Sequence, residues 1–193
     1  MKEKRDSFIT NLATVLSKII EIAHWIGAVT MVVLAVVSCA GQKALENMIK
    51  MDSPLDNTIS TYGFEIKITD ASGALDAKAV LMYAISAAII LSLFAMVFRN
   101  VYLILKKIKG NDGQIVNPFQ NDVIRMVREI GIFLISVPVV GLTMSVISRL
   151  VLGAEYAEIS VSLDSILIGI VVLCLSHVFS YGNSLQNDVD GLV

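Results

Sequence analysis

Long apolar stretches separated by shorter polar ones dominate the pattern along the chain. Four of these stretches approach or exceed the ~20 residues that an α-helix needs to cross the hydrocarbon core of a bilayer. They predict transmembrane helices at about residues 19–40, 79–105, 123–151 and 165–182. We therefore expect an all-α membrane protein, an up-down bundle of four transmembrane helices that forms a single integral membrane domain over residues 1–193.

The two polar segments on one side of these spans, residues 41–78 and 152–164, contain a different periodicity. Apolar and polar side chains alternate in Phe64-Glu65-Ile66-Lys67-Ile68 and again from Tyr156 to Leu163. Alternation with period two is typical of a half-buried β-strand. Because both stretches fall on the same side of the predicted membrane, we expect them to pair into a small extracytoplasmic sheet that caps the helices.

Composition and charge agree with lipid as the solvent. Hydrophobic residues make up 55% of the chain, and its mean hydropathy is +0.75. A net charge of -2 excludes a generally basic nucleic-acid binder. Of the 15 Lys and Arg residues, four lie before the first span and six between Arg99 and Gly131, against five on the other side. Since short cytoplasmic loops retain Lys and Arg, both termini and the turn at residues 106–122 are expected to be cytoplasmic.

Two cysteines lie far apart in apolar runs, Cys39 and Cys174. They provide neither a disulfide framework nor a metal-knuckle spacing, so we expect buried small hydrophobic residues. The stretch Val36-Val37-Ser38-Cys39 resembles a lipoprotein cleavage box. Some two dozen residues precede this apolar run, and Glu21 lies in its first turns, which is unlike a signal peptide.

The third span contains a proline and a pair of small residues. Pro138 has no N–H, so the carbonyl of Leu134 lacks its helical partner. This predicts a kink and makes Pro138 a hinge candidate. Gly141 and Ser145, four residues apart, would let the backbone of another helix approach closely.

Polar side chains inside the spans gather near the predicted cytoplasmic ends, and burial of such groups in lipid is costly. These candidates are Glu21, His24, Arg99, Asn100, Arg128, Glu129 and His177. The pattern favours an interfacial layer in which Arg128 pairs with Glu21 or Glu129 and side chains reach toward the headgroups. A proton relay or a small-ligand pocket is an alternative.

A metal site is a further hypothesis for this layer. Glu21 and His24 lie three residues apart on one helical face, and His177 could supply a third ligand. Di-iron bundles that use this spacing need two copies and further carboxylates, whereas this chain has one copy. We therefore predict no metal and no other cofactor.

The basic cytoplasmic turn has two interpretations. Its Lys and Arg residues can orient the protein and contact anionic lipid, or they can dock a partner protein. The docking candidates are Lys106, Lys107, Lys109, Arg125 and Arg128. The chain has no His-Glu-x-x-His, Gly-x-Ser-x-Gly or phosphate-loop motif, so we do not expect an enzyme.

Two stretches resemble a family of bacterial four-span membrane proteins, domain of unknown function 2975. The first runs from Asn117-Pro118-Phe119-Gln120-Asn121-Asp122 through Ile124-Arg125 to Arg128-Glu129-Ile130-Gly131. The second runs from His177-Val178-Phe179-Ser180-Tyr181-Gly182 through Leu185-Gln186 to the closing Asp188-Val189-Asp190-Gly191-Leu192-Val193. The resemblance implies a multi-pass protein of the bacterial cytoplasmic membrane without assigned catalytic residues.

Members of that family often look paired with a small helix-turn-helix regulator. The resemblance thus implies a non-enzymatic regulatory or signalling protein that binds such a regulator and does not itself bind nucleic acid. The alternatives are a small transporter and an immunity protein that protects the membrane against a peptide toxin. The sequence does not determine the oligomeric state or the ligand.

Overall fold

The computed structural model of the protein describes residues 2–48, 58–70, 73–109 and 119–190, with side chains in 8–45, 58–70, 73–109 and 119–189. The elements in chain order are α1 (Lys2–Cys39), α2 (Gln42–Met48), β1 (Thr58–Thr61), β2 (Phe64–Lys67), α3 (Ala77–Lys109), α4 (Asn121–Leu152) and α5 (Leu163–Asp190). Within the described residues, four helices are long and apolar enough to cross a membrane, namely α1, α3, α4 and α5. The expected set of four long helices is confirmed, and they suggest a multi-pass membrane protein.

The long helices extend beyond the predicted membrane spans. α3 contains 33 residues, which at 1.5 Å per residue extend about 50 Å, well beyond the ~30 Å of a hydrocarbon core. α1 runs without interruption from Lys2 through the first apolar stretch. The short helix α2 was not predicted; it follows Gly41, whose φ of 105° ends α1. Residues 110–118, which make up most of the predicted turn at 106–122, lie outside the described residues.

The sheet is a two-stranded antiparallel hairpin with Thr58 opposite Lys67 and Thr61 opposite Phe64. β2 lies where the first alternating stretch predicted a strand. Its partner, however, is the neighbouring β1 and not the second alternating stretch. Tyr62 and Gly63 have positive φ angles of 46° and 89°, which suit a two-residue turn between twisted strands. A short local turn costs little chain entropy, so β1 is the nearer partner.

The second alternating stretch touches the sheet at few points. Ala157 forms an isolated antiparallel bridge with Ile66, and the Lys67 N–H donates to the Tyr156 carbonyl at 2.7 Å. Further along, the Ser160 hydroxyl donates to the Gly63 carbonyl at 3.1 Å. The apolar members point outward and are largely exposed: Ile159 54%, Val161 44% and Leu163 65%. This outward apolar face suits a lipid surface.

The chain divides into two compact units. The first comprises Met1–Ala23, Leu93–Ile135 and Asp164–Val193, and the second comprises His24–Ser92 and Ser136–Leu163. α1, α3 and α4 each contribute to both units.

In the first unit, α3 and α4 run antiparallel. Asn100 contacts Glu129, and seven residues later on α3, Lys107 contacts Asp122, seven residues earlier on α4. The apolar core beside these contacts is centred on α4 and completed by side chains from α3 and α5. Its members are Val123, Met126, Val127, Leu103, Ile104, Val172 and Phe179.

α4 and α5 also run antiparallel in this unit and approach most closely at two glycines. A Cβ atom on Gly169 would lie 2.6 Å from Ile135 Cγ1 and 3.0 Å from the Gly131 carbonyl oxygen. Real Cβ atoms do not tolerate such distances, so only glycine fits at this position. The same register brings Asn121 to Asn183.

In this register, α5 is offset along its axis relative to α4. Beyond Ile135, α4 continues for 17 residues, about 25 Å, to Leu152. Beyond Gly169, α5 has only six residues, about 9 Å, before it ends at Leu163. α5 therefore packs along the first half of α4.

In the second unit, the hairpin packs on the second half of α4. The backbone of Gly63 and Phe64 lies 3.7 Å from the position of a Cβ on Gly141. Ser145 and Ser148, on the same helical face by their spacing, are fully buried. The small-residue face of α4 therefore admits a hairpin backbone and not the helix that the sequence suggested.

α1 and α5 present most of the exposed apolar side chains. Only 11% of the most apolar window of each is buried, against 39% for α3 and α4. Cys39 and Cys174 lie on these two helices and are exposed, so the expectation that they are buried was wrong. In an apolar environment, a helix can present such side chains outward without the cost that water imposes.

Replacement of Gly169 with Ala should weaken the packing of α5 on α4, because the added Cβ overlaps Ile135. Overpacking of this kind costs about 1–3 kcal/mol. We expect a lower Tm for Gly169→Ala in detergent, while the matched change Gly141→Ala, which meets only ordinary contacts, leaves the Tm unchanged or higher. Equal stability of the two variants would contradict the observed register.

Candidate functional site

A hydrogen-bonded polar cluster joins α3 to α4 in the first unit. The buried Asn100 amide donates to Glu129 Oε2 at 3.0 Å, and Arg125 Nε donates to Glu129 Oε1 at 3.0 Å. Lys107 and Asp122 form an ion pair between the same helices. Both oxygens of the Glu129 carboxylate therefore have a donor, which limits the cost of its partial burial.

α1 contributes a separate polar contact to this unit. Glu21 is 6% exposed and accepts from Lys18 Nζ at 2.9 Å. The same ammonium group lies 5.1 Å from the centroid of the Tyr102 ring on α3, within the range of a cation–π interaction. Lys18 thus compensates a buried carboxylate and links α1 to α3. Neither Lys18 nor Tyr102 was singled out by the sequence, although Lys18 and Glu21 have helical i, i+3 spacing.

The predicted polar layer is only partly assembled. Glu21, Asn100 and Glu129 lie inside the first unit, in contacts to other residues of that unit. Three other members are exposed, namely Arg99, Arg128 and His177, while His24 is half-buried and belongs to the second unit. The ion-pair partners observed for Glu21 and Glu129 are Lys18 and Arg125, and not Arg128 as the sequence suggested.

The metal hypothesis finds no support in the side-chain arrangement. In the part of the chain that the structure describes, no group of three or more His, Cys, Asp or Glu side chains could hold a metal ion.

The docking candidates divide into residues with and without internal ion pairs. Lys107 pairs with Asp122 and Arg125 with Glu129. The others, Lys106, Lys109 and Arg128, are exposed, and the ion pairs of the described residues do not include them. Internal pairing thus leaves a smaller basic surface than the sequence indicated.

The two stretches that resemble the bacterial membrane family lie against each other. Phe119 packs edge-on against Phe179 with 5.8 Å between ring centroids. A Cβ on Gly182 would lie 2.9 Å from Phe119 Cε1, so the absence of a side chain at Gly182 leaves room for the Phe119 ring. Asn183 Nδ2 donates to Asn121 Oδ1 at 3.0 Å. These contacts join the start of α4 to the second half of α5; Asn117, Pro118 and residues 191–193 lie outside the described residues.

A second candidate region lies in the cap of the second unit. Asp76 precedes α3 and accepts from the Lys78 N–H at 2.8 Å, as an N-cap residue does. The Tyr156 phenol donates to the Asp76 carboxylate. Arg149, in the last turn of α4, donates to the Ala157 carbonyl at 3.4 Å. The loop after α4 is thereby connected to the start of α3.

Beside this loop is a shallow recess of about 110 Å³, open to solvent. Its charged lining residues are Glu65, Lys67, Glu155 and Glu158. Sequence reasoning identified the alternating stretches but missed Asp76 and Tyr156. The signal available for Asp76 was its position directly before the apolar run of α3.

No family model, curated protein or solved structure matches this chain. The resemblance to the four-span bacterial family therefore stays a prediction that rests on the two short stretches quoted above.

Replacement of Asn100 with Asp should destabilise the first unit. It places a second carboxylate 3.0 Å from Glu129 Oε2 at a buried position and removes the donor. We expect a loss of about 1–3 kcal/mol in the free energy of unfolding. Addition of Glu129→Gln should recover part of this loss, because the new amide can donate to the new carboxylate. An undiminished loss in the double variant would mean that the two side chains are not partners.

The cap should lose stability at alkaline pH. Burial raises the pKa of the Tyr156 phenol above its ordinary value of 10.0, and the hydrogen bond to Asp76 raises it further. The unfolded chain therefore loses this proton at a lower pH than the folded chain does. The free energy of unfolding is thus highest below about pH 10 and falls as the pH rises above it. Tyr156→Phe should remove part of that fall and cost about 1 kcal/mol at neutral pH, where a hydrogen bond is lost.

The control for this experiment is Tyr181→Phe, because Tyr181 is 68% exposed. Urea unfolding at neutral and alkaline pH provides the measurement. Identical pH dependence of the wild type and Tyr156→Phe would contradict the role given to the phenol.

Proposed function

We propose that this chain is a non-enzymatic regulatory membrane protein whose first unit engages a cytoplasmic partner and whose cap responds to conditions outside the membrane. The observation that supports the proposal is that the two units expose different kinds of side chains and structural elements. Exposed basic side chains lie on α3 and α4 in the first unit, whereas the hairpin, the recess and the acidic loop lie in the second.

The placement in a bilayer is supported by the outward apolar faces. α1 and α5 expose many large aliphatic side chains, and the extended stretch from Ile159 to Leu163 does the same. In water this surface would be far larger than the apolar patches of ordinary soluble monomers. The distribution of Lys and Arg supports cytoplasmic termini and an extracytoplasmic cap. We place the protein in a bacterial cytoplasmic membrane because of the family resemblance.

A connection between the two regions is available through α4. Its helix continues through Pro138, and the division between the units passes between Ile135 and Ser136, close to the carbonyl that the proline leaves unpaired. A bend at this point would transmit a change in the cap to the partner surface. Pro138 is thus the hinge candidate of the proposed mechanism, and the resemblance points to a small helix-turn-helix regulator as the partner.

The proposed topology can be measured by thiol labelling. In a variant with Cys39→Ser and Cys174→Ser, single cysteines replace Glu158 or Lys109, both exposed. A membrane-impermeant maleimide should label Glu158→Cys in intact cells and label Lys109→Cys only after permeabilisation. The reverse pattern would contradict the orientation.

The proposed activity is tested by purification of the tagged chain from native membranes in mild detergent. A stoichiometric DNA-binding protein that dissociates after a change at the cap, such as Tyr156→Phe with Arg149→Gln, is the expected result. If the chain is recovered alone and its deletion changes solute uptake or sensitivity to a peptide toxin, the regulatory function is wrong and transport or immunity replaces it.

A further inference from the structure

Basic and aromatic side chains form one stripe along the second half of α3. Arg99, Tyr102, Lys106 and Lys109 recur at intervals of three, four and three residues, which places them on one face of a helix. The three basic residues are exposed, and the ion pairs of the described residues do not include them. We call these four residues the α3 stripe.

The α3 stripe is distinct from the face of α3 that packs on α4. Asn100, Leu103 and Lys107 provide contacts to α4 or to its core. By helical geometry, the stripe is centred more than a quarter turn away from these residues. Tyr102 is half-buried, and the Lys18 ammonium of α1 lies 5.1 Å from its ring centroid, so this member of the stripe faces α1. The three cations of the stripe are exposed and remain accessible while α3 and α4 stay packed.

We propose that the α3 stripe docks an acidic amphipathic helix of the partner protein. Carboxylates spaced seven and three residues apart on one face of such a helix would face the three cations. This inference rests on the proposed function and names the surface and the partner chemistry within it. The inference is based on charge complementarity over one helical face.

Anionic lipid headgroups explain the stripe less well. Arg99 directly follows the uncharged run of α3, and Lys109 lies ten residues further on, about 15 Å along the axis. The potential of a charged membrane surface decays over about 8 Å at physiological ionic strength. A membrane would therefore attract Arg99 strongly and Lys109 weakly, whereas a helix laid along the stripe reaches all three cations.

The binding test uses the full chain in nanodiscs of zwitterionic lipid and a synthetic helical peptide with three Glu residues at intervals of seven and three residues. Fluorescence anisotropy should show binding that weakens with added salt. Lys106→Glu with Lys109→Glu should weaken it by about tenfold or more, because each reversal turns an attraction into a repulsion. The control pair Lys43→Glu with Lys78→Glu makes the same change in net charge at exposed residues of the other unit.

Three results would overturn the inference. The first is equal binding of a peptide with the same composition and scrambled spacing. The second is an equal effect of the stripe pair and the control pair. The third is peptide binding only when the nanodiscs contain anionic lipid, or preferential binding of anionic vesicles through these residues, which would assign the stripe to the membrane.

Photo-crosslinking in cells separates this inference from the proposed function. A photoreactive residue replaces Lys106 on the stripe, Arg128 on α4 or Glu158 in the cap. Crosslinks from Lys106 to an acidic helix of an identified regulator support both proposals. Crosslinks to the regulator from Arg128 but not from Lys106 would leave the regulatory function standing and reject the stripe. A regulator that crosslinks from none of these positions would reject both.

Discussion

The close contact between Gly131 on α4 and Gly169 on α5 sets the arrangement of the first unit. Because neither residue has a side chain at the crossing, the two backbones meet within a distance that a Cβ atom would block. The contact also fixes the register, which brings Phe119 to Phe179 and Asn121 to Asn183. The first half of α4 is thus committed to α5, and its second half is available to the hairpin at Gly141.

The first half of α4 packs against α5 and its second half against the hairpin, and the two units differ in their polar contacts. The first unit satisfies its buried carboxylates with Lys18, Asn100 and Arg125. Among the described residues, these ion pairs do not include Arg128 or the three cations of the α3 stripe. In the second unit, extended backbone is tied to hairpin and helix ends through hydrogen bonds. Buried backbone groups need such partners, because an unpaired polar group removed from water is costly. The apolar side chains of the extended stretch then face outward.

Much of the fold followed from the sequence because hydrophobic periodicity is local. The four long helices and β2 lie where the pattern predicted them. The partner of β2 was not predictable from alternation alone, because two stretches could supply it and the Tyr62-Gly63 turn decided between them. The offset of α5 depends on glycine contacts between segments that are distant in the sequence. Hydrophobic periodicity does not predict such contacts. Arg128 was assigned to Glu129, but Arg125, one turn earlier on the same helix, holds that carboxylate.

The most direct test of this account is the register between α4 and α5. In a chain with Cys39→Ser and Cys174→Ser, cysteines at Asn121 and Asn183 should be crosslinked by a short bifunctional maleimide, because Asn183 Nδ2 donates to Asn121 Oδ1 at 3.0 Å. If residues 151 and 165, the ends of the predicted spans on either side of the loop 152–164, lay side by side, Ser136 would instead lie opposite Ser180. Rapid crosslinking of Asn121→Cys with Asn183→Cys but not of Ser136→Cys with Ser180→Cys is the predicted result. The opposite outcome would contradict the offset and the division of α4 that depends on it.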